Sequence, residues 1–157
     1  MRKKIKKNIE IPKCPTVILD LIPTFLLYDL NGVRYRYDDI LNSKAYTLLV
    51  FFSPVDCRSC LNERDLWNRI SKERRIKIIG IATHSDKKEL KDWVENSEIY
   101  FPVLYDEESQ ITNKLNIKRT PLKLLIDSKG KILLIDRVRI TLYEQKEFIK
   151  ILDEMIK

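Results

Sequence analysis

The residues of this chain with the clearest chemical potential are two cysteines, Cys57 and Cys60, which are separated by two residues. Thiols at this spacing can close a small disulfide and reopen it, because the thiolate of one cysteine is the species that attacks a disulfide sulfur. The same spacing also occurs in zinc sites. The pair by itself therefore leaves both redox chemistry and metal binding open.

The segments on either side of the cysteines predict where the thiols lie. Upstream, residues 47–53 form a β-branched and aromatic run that is typical of a buried strand, and downstream, residues 58–74 have helical periodicity without Gly or Pro. Cys57 is thus expected at a helix N-terminus, where unpaired N–H groups and the helix dipole stabilise a thiolate. Cys57 is the candidate attacking thiol, and Cys60, one turn into the helix, is the candidate resolving thiol.

The rest of the chain alternates between predicted strands and helices and ends with a hairpin and a helix. Further strands are predicted at 25–28, 33–37, 76–82, 103–105, 122–127 and 131–135, and further helices at 86–96, 107–115 and 142–156. Strands that alternate with helices indicate an α/β sheet covered on both faces. The cysteines follow a strand end, which is where open α/β sheets place their chemistry.

Composition and charge distribution exclude several classes of protein. A chain of 157 residues, 44% apolar and 34% charged, is most simply one soluble globular domain without a membrane-spanning segment. Of the net charge of +7, residues 1–13 carry +5, which leaves only +2 for the other 144 residues. A short basic arm on a nearly balanced domain argues against nucleic-acid binding. The predicted organisation is an arm at 1–16 and one domain at 17–157.

The N-terminal segment lacks the features of an export signal. It begins with basic residues, but residues 17–23 are interrupted by Asp20 and Pro23 and are followed by no small-residue cleavage site. The sequence as it stands predicts a cytoplasmic protein, or an extracytoplasmic one if a native signal or anchor has been trimmed. Cys14 is an odd third cysteine, which argues against a secreted disulfide scaffold. It is expected to be an idle or buried thiol, and the alternatives are a third redox partner or an intermolecular disulfide.

Three segments occur together in a characteristic order and spacing. They are a leading hairpin from Pro23 to Gly32, the strand, cysteine pair and helix at 47–75, and Arg119-Thr120-Pro121 before the final hairpin. Together they resemble the thioredoxin fold and, more narrowly, its redoxin branch of TlpA/ResA-type and AhpC/TSA-type proteins, over about residues 22–156. The resemblance implies a thioredoxin-like fold, a central mixed β-sheet flanked by helices with an extra N-terminal β-hairpin, and thiol-disulfide oxidoreductase activity.

The resemblance also implies roles for residues outside the cysteine pair. In the family, the proline at the position of Pro121 is cis and packs against the disulfide, while the backbone at Thr120 pairs with an extended segment of the partner. ResA-like proteins carry a functional glutamate at the position of Glu63. Helical spacing places Glu63 on the apolar side of its helix, where burial favours a protonated carboxyl suited to proton exchange with a thiol. Alternatively, Glu63 reaches solvent or pairs with Arg64 or Lys72.

The two neighbours of Cys57 have opposite effects on its thiolate. Arg58 is expected to lower the pKa of Cys57, whereas Asp56 is expected to raise it. The resembled family usually has Trp at the position of Asp56, so this residue is the main departure from the family pattern. The net effect, and with it the direction of electron flow, stays open because dithiols of this fold range from about −270 to about −120 mV.

Three other functions compete with thiol-disulfide exchange. A zinc site would have to recruit Cys14 and His84, and the chain has no second cysteine pair to complete it. A peroxiredoxin-like thiol peroxidase would show the signature Pro-x-x-x-Thr/Ser-x-x-Cys, but Val50 and Pro54 stand at its Pro and Thr positions. A non-catalytic binding module of the same fold is disfavoured by the intact cysteine pair and Pro121.

The sequence therefore predicts a thiol-disulfide oxidoreductase that exchanges two electrons with protein partners through Cys57 and Cys60. Its redox group is the Cys57–Cys60 disulfide, with no metal and no organic cofactor. Its partners are expected to be protein thiols and disulfides, together with an upstream redox protein that resets the pair. The chain is expected to be a monomer that binds no nucleic acid and has no integral membrane segment.

Overall fold

The structure is a computed structural model that describes residues 20–41, 46–54, 58–73, 76–83 and 86–157. The strands in these ranges are β1 Leu26–Asp29, β2 Arg34–Arg36, β3 Thr47–Phe52, β4 Lys77–Ala82, β5 Val103–Tyr105, β6 Leu122–Ile126 and β7 Ile132–Asp136. The helices are α1 Tyr37–Leu41, α2 Arg58–Glu73, α3 Lys87–Asn96, α4 Gln110–Lys114 and α5 Leu142–Met155. Among these helices, none combines the length and the apolar character needed to cross a membrane. The predicted basic arm at 1–16 lies outside the described residues.

The strands form one mixed sheet in the order β2-β1-β5-β4-β3-β6-β7. Inside the sheet, β4 is parallel to both β3 and β5, while β3 is antiparallel to β6. The β1–β2 hairpin extends one edge through the antiparallel pairing of β1 with β5, and the β6–β7 hairpin forms the other edge. The predicted α/β thioredoxin-like fold, with its mixed sheet and extra N-terminal hairpin, is confirmed.

The sheet is covered on both faces, as the uninterrupted apolar sequence of β3 requires. Every residue of β3 is buried, and successive side chains point to opposite faces of a strand. Leu48, Val50 and Phe52 pack in the cluster that includes side chains of α2, α3 and α5. Leu49 and Phe51 pack in the opposite cluster, with side chains of α1 and α4. Both faces of β3 are therefore packed, and the cysteine segment follows β3 along the chain.

Two predicted elements have different bounds for local reasons. The strand expected through residue 37 ends at Arg36, whose backbone N–H donates to the carboxylate of Asp39 (2.8 Å) and thereby begins α1. The helix expected at 107–115 is limited to α4, because the carboxylate of Asp106 accepts the N–H groups of residues 110–112 and holds residues 106–109 in a turn. Side-chain capping of this kind commonly sets where a helix begins.

Candidate active site

The predicted order of a strand followed by a helix is present, and Cys60 lies in the first turn of that helix. The strand β3 ends at Phe52, and α2 begins at Arg58. Cys60, in the first turn of α2, is completely buried and disulfide-bonded. Among the described residues, Cys60 is the only cysteine; Cys14, Cys57 and Asp56 lie outside them.

The loop before β6 lies against the same end of the sheet. The Thr120–Pro121 peptide bond is cis; Pro121 is buried and Thr120 is half-buried. Because β6 runs antiparallel to β3 with Leu122 opposite Phe51, the residues just before β6 lie beside the residues just after β3. This register brings the Thr120–Pro121 segment to the end of β3 from which the cysteine segment departs.

An open groove of about 420 Å³ runs along this loop. It is lined by Ser53, Thr83, Thr112 and residues 117–120. Ser53 follows β3 and Thr83 follows β4, so the groove lies at the carboxyl ends of two parallel strands. The Ser53 hydroxyl is buried without a hydrogen-bond partner in the described part of the chain. The groove therefore places polar residues beside Thr120.

On the protein-interior side of Cys60, Glu63 is completely buried. Its Oε1 accepts a hydrogen bond from Trp67 Nε1 (2.8 Å), one turn further along α2. Its Oε2 accepts a hydrogen bond from Lys123 Nζ (2.7 Å) and a second one from the backbone N–H of Arg139. Glu63 thus neither reaches solvent nor pairs with Arg64, which instead contacts Asp65 (3.1 Å). That alternative from the sequence is wrong, because Glu63 is completely buried and its charged partner, Lys123, comes from a distant segment.

Lys123, the partner of Glu63, is itself completely buried. Besides Glu63, its Nζ contacts Asp136 Oδ2 (3.1 Å) and donates to the carbonyl oxygen of Arg137 (2.9 Å). The Arg139 guanidinium donates to both carboxylate oxygens of Asp136. These hydrogen bonds from Arg139 to Asp136 raise the pKa of Arg139 above its ordinary value. We name Glu63, Lys123, Asp136 and Arg139 the buried ion cluster.

The start of α5 covers the buried ion cluster. The Phe148 ring lies under both cations, 4.9 Å from Lys123 Nζ and 5.9 Å from the centre of the Arg139 guanidinium. Gln145 Nε2 donates to the carbonyl oxygens of Asn62 (3.0 Å) and Arg139 (2.9 Å). Glu63 and Lys123 are completely buried, so water screens their interaction much less than it would at the surface.

Sequence reasoning placed Glu63 on the buried side of α2 but missed the other members of the cluster. The available signal was Lys123, which interrupts the otherwise apolar strand Leu122–Ile126. A lysine is almost never fully buried unless it is paired, so a charge inside that strand predicts a buried acidic partner. The identity of that partner could not be obtained from local spacing, because Glu63 and Lys123 are 60 residues apart.

The comparisons with known proteins agree with this geometry. The model of the AhpC/TSA family matches residues 18–135. The chain belongs to the AhpC/TSA family. A similar curated relative is the thiol-disulfide oxidoreductase ResA of Geobacillus kaustophilus, 24% identical over 131 residues that cover 82% of this chain and 74% of the relative. The chain is a thioredoxin-fold redoxin of the ResA/TlpA type and, by class, an oxidoreductase.

Solved structures support the same fold. A secreted disulfide oxidoreductase of Mycobacterium tuberculosis, homologous to DsbE of Escherichia coli, has a TM-score of 0.66 and 20% identity, with 79% of this chain and 90% of that chain covered. The peroxidoxin BcpB of Mycobacterium tuberculosis has a TM-score of 0.72 and 19% identity, with coverages of 88% and 96%. Because a disulfide oxidoreductase and a peroxidoxin are both similar to this chain, the fold alone does not distinguish these two activities.

Proposed function

We propose that this chain exchanges electrons with protein thiols and disulfides through Cys57 and Cys60, with Cys57 as the attacking thiol and Cys60 as the resolving thiol. The observation that carries the proposal is Cys60, a buried, disulfide-bonded cysteine in the first turn of a helix that follows a central strand. The adjacent cis Thr120–Pro121 segment and the family of the chain support it. The pair requires neither a metal nor an organic cofactor.

The proposed reduction of a partner consists of two exchanges. The Cys57 thiolate attacks one sulfur of the partner disulfide, which forms a mixed disulfide and releases the other partner sulfur as a thiolate that takes a proton from water. Cys60 then loses its proton and attacks the Cys57 sulfur, which closes the Cys57–Cys60 disulfide and releases the second partner thiol. Two electrons pass from the dithiol to the partner, and an upstream redox protein restores the dithiol.

Three further residues have proposed roles in this reaction. Thr120 offers its backbone to an extended segment of the partner, and the groove beside it accommodates side chains of that segment. Pro121 shapes the loop next to the disulfide. Glu63 accepts the proton that Cys60 releases, since a carboxylate three residues along the same helix is a suitable base. Arg58 and Asp56 tune the Cys57 thiolate in opposite directions.

The decisive experiment follows disulfide exchange by the purified protein with a small dithiol and with a disulfide-containing protein. We expect Cys57→Ser to abolish exchange, and Cys60→Ser to form a mixed disulfide that is not resolved. Cys14→Ser is the matched control and should leave exchange unchanged. Exchange that persists in Cys57→Ser would overturn the assignment of Cys57. Hydroperoxide consumption that is lost in the same variant would instead indicate a thiol peroxidase.

The direction of electron flow is tested by the reduction potential of the Cys57–Cys60 pair, measured against glutathione and thioredoxin standards. A value near about −270 mV would indicate a reductase, and a value near about −120 mV an oxidase. Asp56→Asn and Arg58→Gln should move the potential in opposite directions, because one substitution removes a negative charge beside Cys57 and the other removes a positive charge.

A further inference from the structure

The contact between Glu63 and Lys123 stands out because both side chains have no solvent exposure and their charged atoms are 2.7 Å apart. Removing two charges from water is costly, and the cost is repaid only when their geometry and remaining hydrogen bonds are good. Here the requirement is met: Glu63 accepts three hydrogen bonds, and Lys123 contacts two carboxylates and a carbonyl oxygen. The hydrogen bonds around Glu63 and Lys123 therefore offset the free-energy cost of burying both charges.

The charges of the buried ion cluster balance. Its acidic members are Glu63 from α2 and Asp136 from β7, and its cations are Lys123 from β6 and Arg139 from the segment before α5. The helix α5 contributes the neutral side chains Gln145 and Phe148, and the exposed Glu144 of the same helix interacts electrostatically with Arg139. Two carboxylates and two cations give a local net charge of zero, and the loss of either Glu63 or Lys123 would change that charge by one unit.

The cluster also connects the two segments that form the active site. Glu63 lies one helix turn after Cys60, and Lys123 lies two residues after Pro121. The ion pair therefore joins the helix that carries the resolving cysteine to the strand that follows the cis-proline loop. A change of charge at this position is close enough to the helix N-terminus to act on a thiolate there, because the interior screens charges much less than water does.

We propose that Lys123 is a positioning residue for thiol-disulfide exchange: its ammonium group holds and neutralises the Glu63 carboxylate, so that the cluster beside the cysteine pair carries no net charge until Glu63 takes the proton of Cys60. The inference deepens the proposed function, because it requires that Cys57 and Cys60 are the exchanging pair. Lys123 acts through Glu63, and it needs no contact with the partner protein.

The net charge of the buried ion cluster determines whether each substitution disfavours or favours a nearby thiolate. Without Lys123, an ionised Glu63 leaves the cluster with one net negative charge, which opposes a nearby thiolate. Without the Glu63 charge, the cluster has one net positive charge, which favours the thiolate. Removal of both charges restores a net charge of zero.

The test measures the rate of iodoacetamide alkylation of the reduced protein as a function of pH, in a Cys14→Ser background so that only the paired cysteines react. We expect Lys123→Met to react about threefold or more slowly than the control at pH values below the pKa of the reactive thiol, because half a pK unit of interaction lowers the thiolate fraction by about that factor. At alkaline pH, where both proteins carry the thiolate, the two rates should converge. Glu63→Gln should react faster than the control at neutral pH. The double variant should return to the control profile.

The matched control is Lys150→Met, which removes an exposed lysine of α5 and should leave the profile unchanged. Far-UV circular dichroism establishes that each variant is folded, and if Lys123→Met is not folded, the Glu63→Gln and double-variant profiles still decide the question. Single substitutions that shift the profile in the same direction, or a Lys123→Met profile that matches the control, would overturn the role of Lys123. Failure of the proposed function has a different signature, since the control protein itself would then lack exchange with disulfides.

Discussion

Two carboxylates in this protein, Asp106 and Glu63, are completely buried, and they are stabilised in different ways. Asp106 accepts hydrogen bonds from the backbone N–H groups of residues 110–112 and from the Thr112 hydroxyl (2.8 Å), all within six residues of itself. Glu63 accepts hydrogen bonds from Lys123 and Arg139, which are 60 and 76 residues away. Asp106 is satisfied within its own turn, whereas Glu63 combines one local hydrogen bond, from Trp67, with a cation and a backbone N–H supplied by distant segments.

The difference shows what each carboxylate does for the molecule. The Asp106 turn holds the entry to α4 and requires only local chain geometry, since partial charges of N–H groups replace its hydration. Glu63 requires a full cation from another strand, so it is stable only when α2, β6 and β7 are in place. The local carboxylate shapes a loop, whereas the long-range one ties the helix that carries Cys60 to the strand after the cis-proline loop.

The largest loss of stability should come from removing Lys123, the cation that pairs with the Glu63 carboxylate. We expect Lys123→Met to lower the free energy of unfolding by about 3–5 kcal/mol, because it leaves Glu63 buried without a cation. Urea denaturation followed by circular dichroism measures the loss. Lys150→Met, at an exposed position, should change stability by less than about 0.5 kcal/mol. Equal effects of the two substitutions would show that the buried pair contributes no more than a surface lysine.

A smaller loss of stability is expected when the Asp106 carboxylate is removed. Asp106→Ala should cost about 2 kcal/mol, because it removes hydrogen bonds to a charged group, although water can replace part of them at the start of a short helix. The same denaturation experiment measures it. Among the described residues, the Asp106 turn and the buried ion cluster share no hydrogen-bond partner. The losses of stability caused by Asp106→Ala and Lys123→Met should therefore add within about 0.5 kcal/mol. A larger deviation from additivity would mean that the turn and the ion cluster are coupled.

The smallest effect is expected at an exposed carboxylate, Glu144, which forms a capping box with Thr141 at the start of α5. The hydrogen bond from the Thr141 backbone N–H, followed by that from its hydroxyl, holds the pKa of Glu144 below its ordinary value of 4.5. Because the folded pKa is the lower one, this stabilisation is complete above pH 4.5 and is lost as the pH falls through the folded pKa.

The contribution of Glu144 is tested by the midpoint temperature of thermal unfolding, measured for the wild type and for Glu144→Gln as a function of pH. The wild type should unfold at a slightly higher temperature at neutral pH, and the difference should vanish in acid. A difference that is constant with pH would show that the Glu144 charge does not contribute. The result would extend the comparison to the surface, where solvent screening makes local capping by a carboxylate weak.

Much of the fold could be predicted because its signals are local. The apolar run of β3, the periodicity of α2 and the Asp-Leu-Asn-Gly turn of the first hairpin each depend on neighbouring residues, and the structure contains all three elements. The candidate site was predicted in part for the same reason: Cys60 lies at the start of α2, as its spacing from β3 required. Bounds were less accurate where a side chain such as Asp39 or Asp106 caps its own backbone.

The sequence by itself determined the order of strands and helices, the position of Cys60 at the start of α2 and the side of α2 on which Glu63 lies, because these depend on residues within a turn or a strand of each other. Only the tertiary structure decided that Glu63 pairs with Lys123, and that Asp136 and Arg139 complete the cluster. A buried charge requires a compensating charge somewhere in the chain, and only the packing of α2 on the sheet determines which residue supplies it.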